Sequence, residues 1–262
     1  MFRKLLIIIF TTLALTLNVL AGTDGELILK KNKPSEIKDC SEKFNRATFA
    51  FNQVLDGAIF KPVAIGYKKL PSPLRSGVGN SLDNLSNLVT IPNNILQGDF
   101  AKAGVNSGRF VLNTTIGILG IFDVAQQLGL KEYEKEDYGQ SLAKHGVGPG
   151  CYIVLPVLGP STARDTVASI ANFTGGDAWY NVTVKNDTQY FSEIDYYSSK
   201  VTSGVDFRAK NFNSIENLEK NSLDFYASVK SLYLQDRQQK ILNTKKIIET
   251  QNDSDWEEIE NK

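Results

Sequence analysis

A chain carrying residues 109–130, RFVLNTTIGILGIFDVAQQLGL, must find a place for a long apolar segment that is broken at its middle. Residues 110–128 hold one charged side chain, Asp123, and Gly117 and Gly120 interrupt them. A helix that spans a bilayer needs about 20 predominantly apolar residues, each rising about 1.5 Å. The continuously apolar part, 116–122, is far shorter. The segment can therefore enter a bilayer partway, lie in its interface, or pack as a buried core hairpin. A single straight span is not expected.

The N-terminus reads as a secretory signal over 1–21: Arg3 and Lys4, an apolar run over 5–20, and the cleavage site Val19-Leu20-Ala21. The mature chain is then expected to begin near Gly22 and to leave the cytoplasm. Residues 22–38 read as a flexible polar arm, 39–242 as a helical domain and 243–262 as a disordered acidic tail. With 262 residues and 42% hydrophobic side chains, a sizeable core is possible. Zero net charge gives no reason to expect a nucleic-acid partner. Cys40 and Cys151 could pair in an oxidising compartment, though sequence does not say whether they meet. Neither has a neighbour at metal-ligand spacing, so no metal is expected.

Helical signals dominate the chain and strand signals are scarce. Asp39-Cys40-Ser41-Glu42 has capping-box spacing, with Asp39 as the cap. Phe44, Thr48, Phe51, Leu55 and Ile59 then form one apolar face, opposite Asn45, Arg46, Asn52, Gln53 and Asp56. Such a stripe reads as core, with packing at a membrane interface as the second reading. Pro62 opens a second helix, and Ser72-Pro73 a third, with Ser72 as cap. Gly77 and Gly79 suggest close backbone approach, and Pro92 predicts a break. Asp99 caps the helix that enters the opening segment, where Gly104 and Gly108 leave a bare face suited to helix contact.

Residues 138–144 make about two helical turns. A second apolar run over 151–158 follows, and Ser161 or Thr162 caps a helix over 163–173. The two apolar runs flanking a polar connector suggest a hairpin. Residues 174–187 read as a loop. A long helical region then carries Tyr190, Ile194, Tyr197 and Val201 on one face, with a break near 211–214. The last helix, 224–242, should place Phe225, Val229, Leu232 and Tyr233 inward and Lys230, Arg237 and Lys240 outward.

Catalytic signals are weak. His145, the single histidine, sits among glycines, and no GxSxG elbow is present. Gly146, Gly148 and Gly150 lack the spacing and lysine of a phosphate loop. No enzyme activity and no cofactor are expected. An exported, mostly helical chain with amphipathic faces and two short apolar runs suits a lipid better than a sugar or a nucleotide. A lipid conduit needs a partly polar wall, and the candidates are Arg109, Asn113, Asp123, Arg164 and Asp165.

The segments FNRATFAFNQVLD (44–56), KPVAIGY (61–67), LQGDF (96–100), GRFVLNTTIGILGIFDVA (108–125), DYGQSL (137–142), HGVGPGCYIVLPVLGPSTARD (145–165) and SLYLQDR (231–237) resemble the MlaA/VacJ family of Gram-negative envelope proteins. The resemblance runs from about residue 40 to 242. It implies a mostly α, ring-like single helical domain with amphipathic interfacial helices and an apolar hairpin, lying at the periplasmic face of the outer membrane. It implies removal of phospholipid from the outer leaflet through an amphipathic channel and its transfer to a periplasmic lipid carrier protein, in association with a trimeric porin. The alternative is an envelope scaffold that binds a porin and moves no lipid. The family is typically lipidated on a cysteine after the signal. Here Leu20-Ala21-Gly22-Thr23 offers none, so lipidation is not expected. The side chains expected to face lipid are Phe110, Ile116, Ile118, Leu119, Ile121, Phe122, Val154 and Leu155.

Overall fold

The computed structural model describes residues 37–185 and 191–242. The expected signal, nearly all of the arm, Tyr190 and the acidic tail lie outside the described residues. Chain order begins with α1 (Glu42–Leu55), which runs through one π-helical turn (Asp56–Phe60) into α2 (Lys61–Lys68). A short elbow leads to α3 (Ser72–Leu96), which packs along α4 (Phe100–Thr115). Short helices α5 (Val124–Gln127) and α6 (Tyr138–Lys144) precede a two-stranded antiparallel hairpin, β1 (Tyr152–Leu155) and β2 (Gly159–Thr162). Tyr152 pairs with Thr162 and Leu155 with Gly159. Then come α7 (Ala163–Ala171), α8 (Ala178–Tyr180), α9 (Glu193–Lys210), α10 (Phe212–Asn221) and α11 (Phe225–Leu242). The mostly helical expectation holds, and the second apolar run forms β1 and the turn into β2 rather than a hairpin with the first run. Residues 174–187 were expected to be a loop, but α8 and two π-helical turns (Asn172–Gly176 and Asn181–Lys185) occupy most of them.

Several local signals act as read. Asp99 accepts from the Lys102 N–H at the start of α4, and Thr162 accepts from the Asp165 N–H at the start of α7. Others differ for physical reasons. Asp39 does not cap α1, because its carboxylate is taken by Asn45, Tyr226 and Lys230. Pro71 precedes α3, so Ser72 is its first residue rather than its cap. Pro92 does not break α3. A proline removes one helical N–H and strains the turn before it. Here Asn93 turns its side-chain amide back to the Val89 carbonyl, 2.8 Å away, and packing against α4 carries the helix on. Gly104 meets nothing on its bare side, and Gly108 meets only the Leu130 side chain, so this stripe is not a helix–helix seam.

The polarity of α1 and α3 is reversed relative to a water-soluble bundle. In α1 the buried residues are Asn45 and Thr48, while Phe44, Phe51 and Val54 are exposed. In α3 they are Gly77, Gly79, Asn84, Asn87, Thr90, Asn93 and Asn94. Along α9, Ile194, Tyr197 and Val201 face outward. Uncompensated burial of an amide costs roughly 1–3 kcal/mol by mutational data, and most of these groups find partners, Asn84 Oδ1 and Asn94 Nδ2 excepted. Asn45 donates to Asp39 and to the Tyr152 carbonyl and accepts from the Val154 N–H at 2.9 Å. One helical repeat on, Asn52 bonds the Leu155 carbonyl and the Val157 N–H. These two amides dock β1 on α1.

A small apolar cluster of Tyr152, Val154, Tyr226 and Leu234 sits where β1 meets α11, with Ile37, Phe49 and Tyr233 packed against it. In α11 the inward residues are thus Tyr226, Leu234 and Ile241, and Leu232 is exposed. Arg237, expected outward, turns inward because two aspartates claim it. Beside this cluster Cys40 and Cys151 form a disulfide with Cα atoms 5.6 Å apart, tying the start of α1 to β1. It closes a loop of 111 residues. Chain-entropy arguments give such a loop up to about 4–5 kcal/mol. Reduction, or Cys40→Ser with Cys151→Ser, should lower unfolding free energy by about 2–4 kcal/mol, read from denaturant midpoints with and without reductant.

Candidate functional site: a strained apolar turn above a polar interior

The apolar segment that opens the sequence forms the second half of α4, a tight turn and α5. On α4 the stripe Ala103, Asn106, Arg109 and Asn113 is buried. Past its end, the turn over 116–122 folds back on the helix: the Gly120 N–H reaches the Asn113 carbonyl at 2.8 Å, and the Leu119 N–H reaches Thr114 at 3.0 Å. A Cβ on Gly117 would collide with the Phe122 and Asn113 carbonyl oxygens. Gly120 has φ +88°, and a Cβ there would press on Asn84. Between them Ile118 and Leu119 have φ of 52° and 55°. The left-handed region costs an L-residue about 1–2 kcal/mol, and a β-branched residue there is an outlier. Such strain persists only where the surroundings over-determine it. Here Asn80 donates to the Ile121 carbonyl at 3.1 Å and Asn84 to the Thr114 hydroxyl at 2.8 Å, both from α3.

The outcome is a cap of exposed apolar side chains on a rigid base. Ile116 is 62% exposed, Ile118, Leu119, Ile121 and Phe122 are also exposed, and Phe110 is half-buried beneath them. Of the second run, Val154 is fully buried in the cluster against Tyr226, which removes it from any outward surface. Leu155 is half-buried against α1, and the exposed tip of that hairpin is Val157 and Leu158. The two apolar runs do not pair with each other. The second packs on α1 because Asn45 and Asn52 satisfy its backbone.

Three of the wall candidates form the base of the cap. Arg109, 3% exposed, donates to Asp123 at 2.7 Å and to the Leu130 carbonyl at 2.7 Å. Asn113 donates to Asp123 at 2.9 Å and accepts from the Ala125 N–H at 2.9 Å. Asp123 also caps α5 through the Gln126 N–H. Burial pushes the Asp123 carboxyl up, but the bonds from Asn113, Gln126 and Arg109 outweigh it and hold the group below the usual carboxylate range. These side chains lock the two limbs of the segment together.

Arg164 and Asp165, both buried, belong to a second network. Asp165 accepts from Arg164 at 2.9 Å, from Tyr233 at 2.9 Å and from Arg237 at 2.9 Å. Arg237 also forks onto Asp137 at 2.6 and 2.7 Å. Burial raises the Asp137 carboxyl, and Arg237 overrides it, bringing the value down to about 2. This network joins α6, α7 and α11 and lines a cavity of about 200 Å³ with Val89, Tyr138 and Asn172. A second cavity of about 220 Å³ is lined by Thr90, Lys135, Glu136 and Trp179 together with the same Val89 and Asn172. Burial lowers the Lys135 amine and raises the Glu136 carboxyl. Asp165 is thus the one wall candidate that faces either cavity. Sequence reasoning missed Asn172, Trp179 and the α3 asparagines, although the recurrence of Asn and Thr at 84, 87, 90 and 94 was a helical pattern in plain view. His145 is exposed at the end of α6, its Nε2 2.8 Å from the Leu96 carbonyl.

No helix among the described residues is long and apolar enough to cross a membrane. Fold and site together define a helical protein with many exposed apolar side chains, a strained apolar cap and an interior rich in buried polar groups that holds cavities. The chain belongs to the MlaA lipoprotein family, whose sequence pattern matches residues 37–240. The intermembrane phospholipid transport system lipoprotein MlaA of Haemophilus influenzae is 32% identical over 219 residues, 82% of this chain and 84% of that protein. Its namesake in Escherichia coli is 33% identical over 201 residues, 75% and 76% of the two chains. An uncharacterized protein of Rickettsia bellii is 36% identical over 205 residues, 78% and 76%. A solved structure, reported as the structural basis for maintenance of bacterial outer membrane lipid asymmetry, superposes with a TM-score of 0.65 at 32% identity, covering 77% of this chain and 98% of that one.

Asp123→Asn keeps the shape of the base but removes the nearer counter-charge of Arg109, leaving Glu132 at 4.0 Å. It should cost about 2–3 kcal/mol of unfolding free energy in denaturant titrations. Asp123, Asp137 and Asp165 all hold their protons less tightly folded than unfolded. Their stabilisation is present above the unfolded value of 3.8 and is lost as pH falls through the folded value, about 2 for Asp137. The contribution of these three groups should fall away as pH drops below about 4, read from thermal midpoints.

Proposed function

We propose that this protein moves phospholipid at the periplasmic face of the outer membrane. In this reading it takes lipid from the outer leaflet through an amphipathic conduit and hands it to a periplasmic carrier, without enzymatic chemistry and beside a trimeric porin. The names of the Haemophilus and Escherichia relatives support the lipid-transport class. The observation that carries the mechanism is the inverted polarity: aromatic and aliphatic side chains outside, amides and cavities inside. Large exposed apolar surfaces mark a membrane or protein interface, and an acyl chain gains about 0.8 kcal/mol per buried CH₂. A lipid exterior needs the first, and a head group passing through needs the second.

In this reading Phe110, Ile116, Ile118, Leu119, Ile121 and Phe122 enter one leaflet. The locked turn fixes their depth without spending insertion energy on ordering. The polar part of the route runs through the two cavities that share Val89 and Asn172. Arg109, Asn113 and Asp123 then serve the conduit by holding its apolar rim. A strain lacking the gene should accumulate phospholipid in its outer leaflet. Wild type should restore asymmetry, whereas Asn172→Trp, which puts an indole at the wall the two cavities share, should not, although it still fractionates with membranes. Normal asymmetry in the deletion strain would favour a scaffold that moves no lipid.

The cap has its own test. Ile118→Asp removes an apolar contact and adds a charge at the point of entry. It should weaken binding to neutral vesicles by roughly 30- to 1000-fold, or about 2–4 kcal/mol. Unaltered co-flotation of this variant with vesicles would remove the cap from the membrane.

A further inference from the structure

The elbow between α2 and α3 carries the sequence Lys68-Lys69-Leu70-Pro71-Ser72-Pro73-Leu74-Arg75. Leu70 and Leu74 are both exposed, on either side of the two prolines. The elbow is built rather than loose. The Lys69 and Leu70 N–H groups bond Gly66 and Tyr67, and the Leu74 and Arg75 N–H groups return to Pro71. Arg75 Nε donates to the Leu70 carbonyl at 3.1 Å. Most of the other basic side chains in the interior and on the flanks are paired with carboxylates, as Arg46, Lys61, Arg208, Lys210 and Lys230 are. Lys68, Lys69 and Arg75 make no salt bridge among the described residues. Lys68 Nζ lies 4.2 Å from the centroid of the Phe212 ring.

The elbow adjoins the apolar cap. Gly77, half a turn past Arg75, faces the Ile121 side chain, where a Cβ would sit 3.1 Å from it. Asn80, one turn further, bonds the Ile121 carbonyl. Exposed Val63 and Ile65 on α2 continue the apolar surface on the other side. Two leucines flanked by three cations with no carboxylate partner among the described residues, next to an apolar cap, match the boundary where acyl chains meet phosphates. Aliphatic stems of lysine and arginine lie along apolar surface while their heads stay in the polar layer.

We propose that this elbow is an anchor for anionic phospholipid, with Lys68, Lys69 and Arg75 on head-group phosphates and Leu70 and Leu74 below them. The proposal rests on the reading of the cap as a membrane element. It adds a preference for charged lipid that the cap cannot supply. A cation near an anionic surface contributes about 1 kcal/mol, or fivefold, and the effect fades within a Debye length. The three together should give a preference on the order of 100-fold at low salt.

The test is flotation of the full chain with vesicles of phosphatidylcholine alone and of phosphatidylcholine with phosphatidylglycerol, at about 50 and 300 mM salt. Wild type should prefer the anionic vesicles strongly at low salt and weakly at high salt. Lys68→Gln/Lys69→Gln/Arg75→Gln should lose that preference and keep its binding to the neutral vesicles. Lys68→Arg/Lys69→Arg, which conserves charge, should keep both. Equal binding of wild type to the two vesicles, or a preference that survives the triple substitution, would overturn the anchor. Equal loss on both vesicles would overturn it too, by making the elbow a structural element. Absence of wild-type binding to neutral vesicles, with anionic binding intact, would instead count against the cap and leave the elbow standing.

Discussion

Hydrogen bonding by buried side-chain amides is the constraint on which the rest of this fold depends. Asn45, Asn84, Asn93, Asn94, Asn106 and Asn113 all lie inside, and most bond across elements rather than along their own helix. Asn106 donates to Asn94 between α4 and α3, and Ser141 donates to Asn93 between α6 and α3. Asn45 joins α1 to β1, and Asn113 joins α4 to α5. An apolar core would hold the same helices together without direction. Amide pairs hold them in one register, because each amide left without a partner costs its full desolvation. This polar glue frees the apolar side chains to face out, a distribution that suits lipid as the outer solvent.

The sequence was informative about where helices lie and poor about which way they face. Capping at Asp99 and Thr162, the helix over 138–144 and the break near Asn211 follow from local chemistry, and local chemistry does not change with the surroundings. Facing depends on the solvent outside. The stripe Phe44, Phe51 and Ile59 reads as core if water surrounds the molecule and as surface if lipid does. Periodicity is the same in both cases. Arg237 fails for a related reason: a guanidinium at the end of a helix looks solvated until two aspartates distant in sequence, Asp137 and Asp165, are placed beside it. Val154 lies in an apolar run that looked suited to lipid, yet pairing with β2 and bonding to Asn45 turn it into the small core.

The site was legible as a location and not as a mechanism. The apolar segment and its glycines mark the cap. The wall candidates were chosen as polar residues near apolar ones, and four of the five hold structure instead of facing either cavity. The cavities are assembled from α3, α6, α7, α9 and α11, elements separated by more than a hundred residues, so no local pattern could announce them. The strained turn at Ile118 and Leu119 stands on the buried lock of Arg109 and Asp123, and Gly77, just past the basic elbow, touches it at Ile121.

The central claim is that the apolar cap lies in lipid while the far side of the molecule lies in water. Leu119→Cys adds a thiol to a chain whose own two cysteines are bonded to each other, so a nitroxide label can be placed there alone. A second label at Lys220, on exposed α10, serves as the reference. Power-saturation spectroscopy in phospholipid nanodiscs then compares relaxation by oxygen, which concentrates in acyl chains, with relaxation by a water-soluble nickel complex. The account predicts strong oxygen and negligible nickel relaxation at Leu119, and the reverse at Lys220. Nickel relaxation at Leu119 equal to that at Lys220 would contradict it.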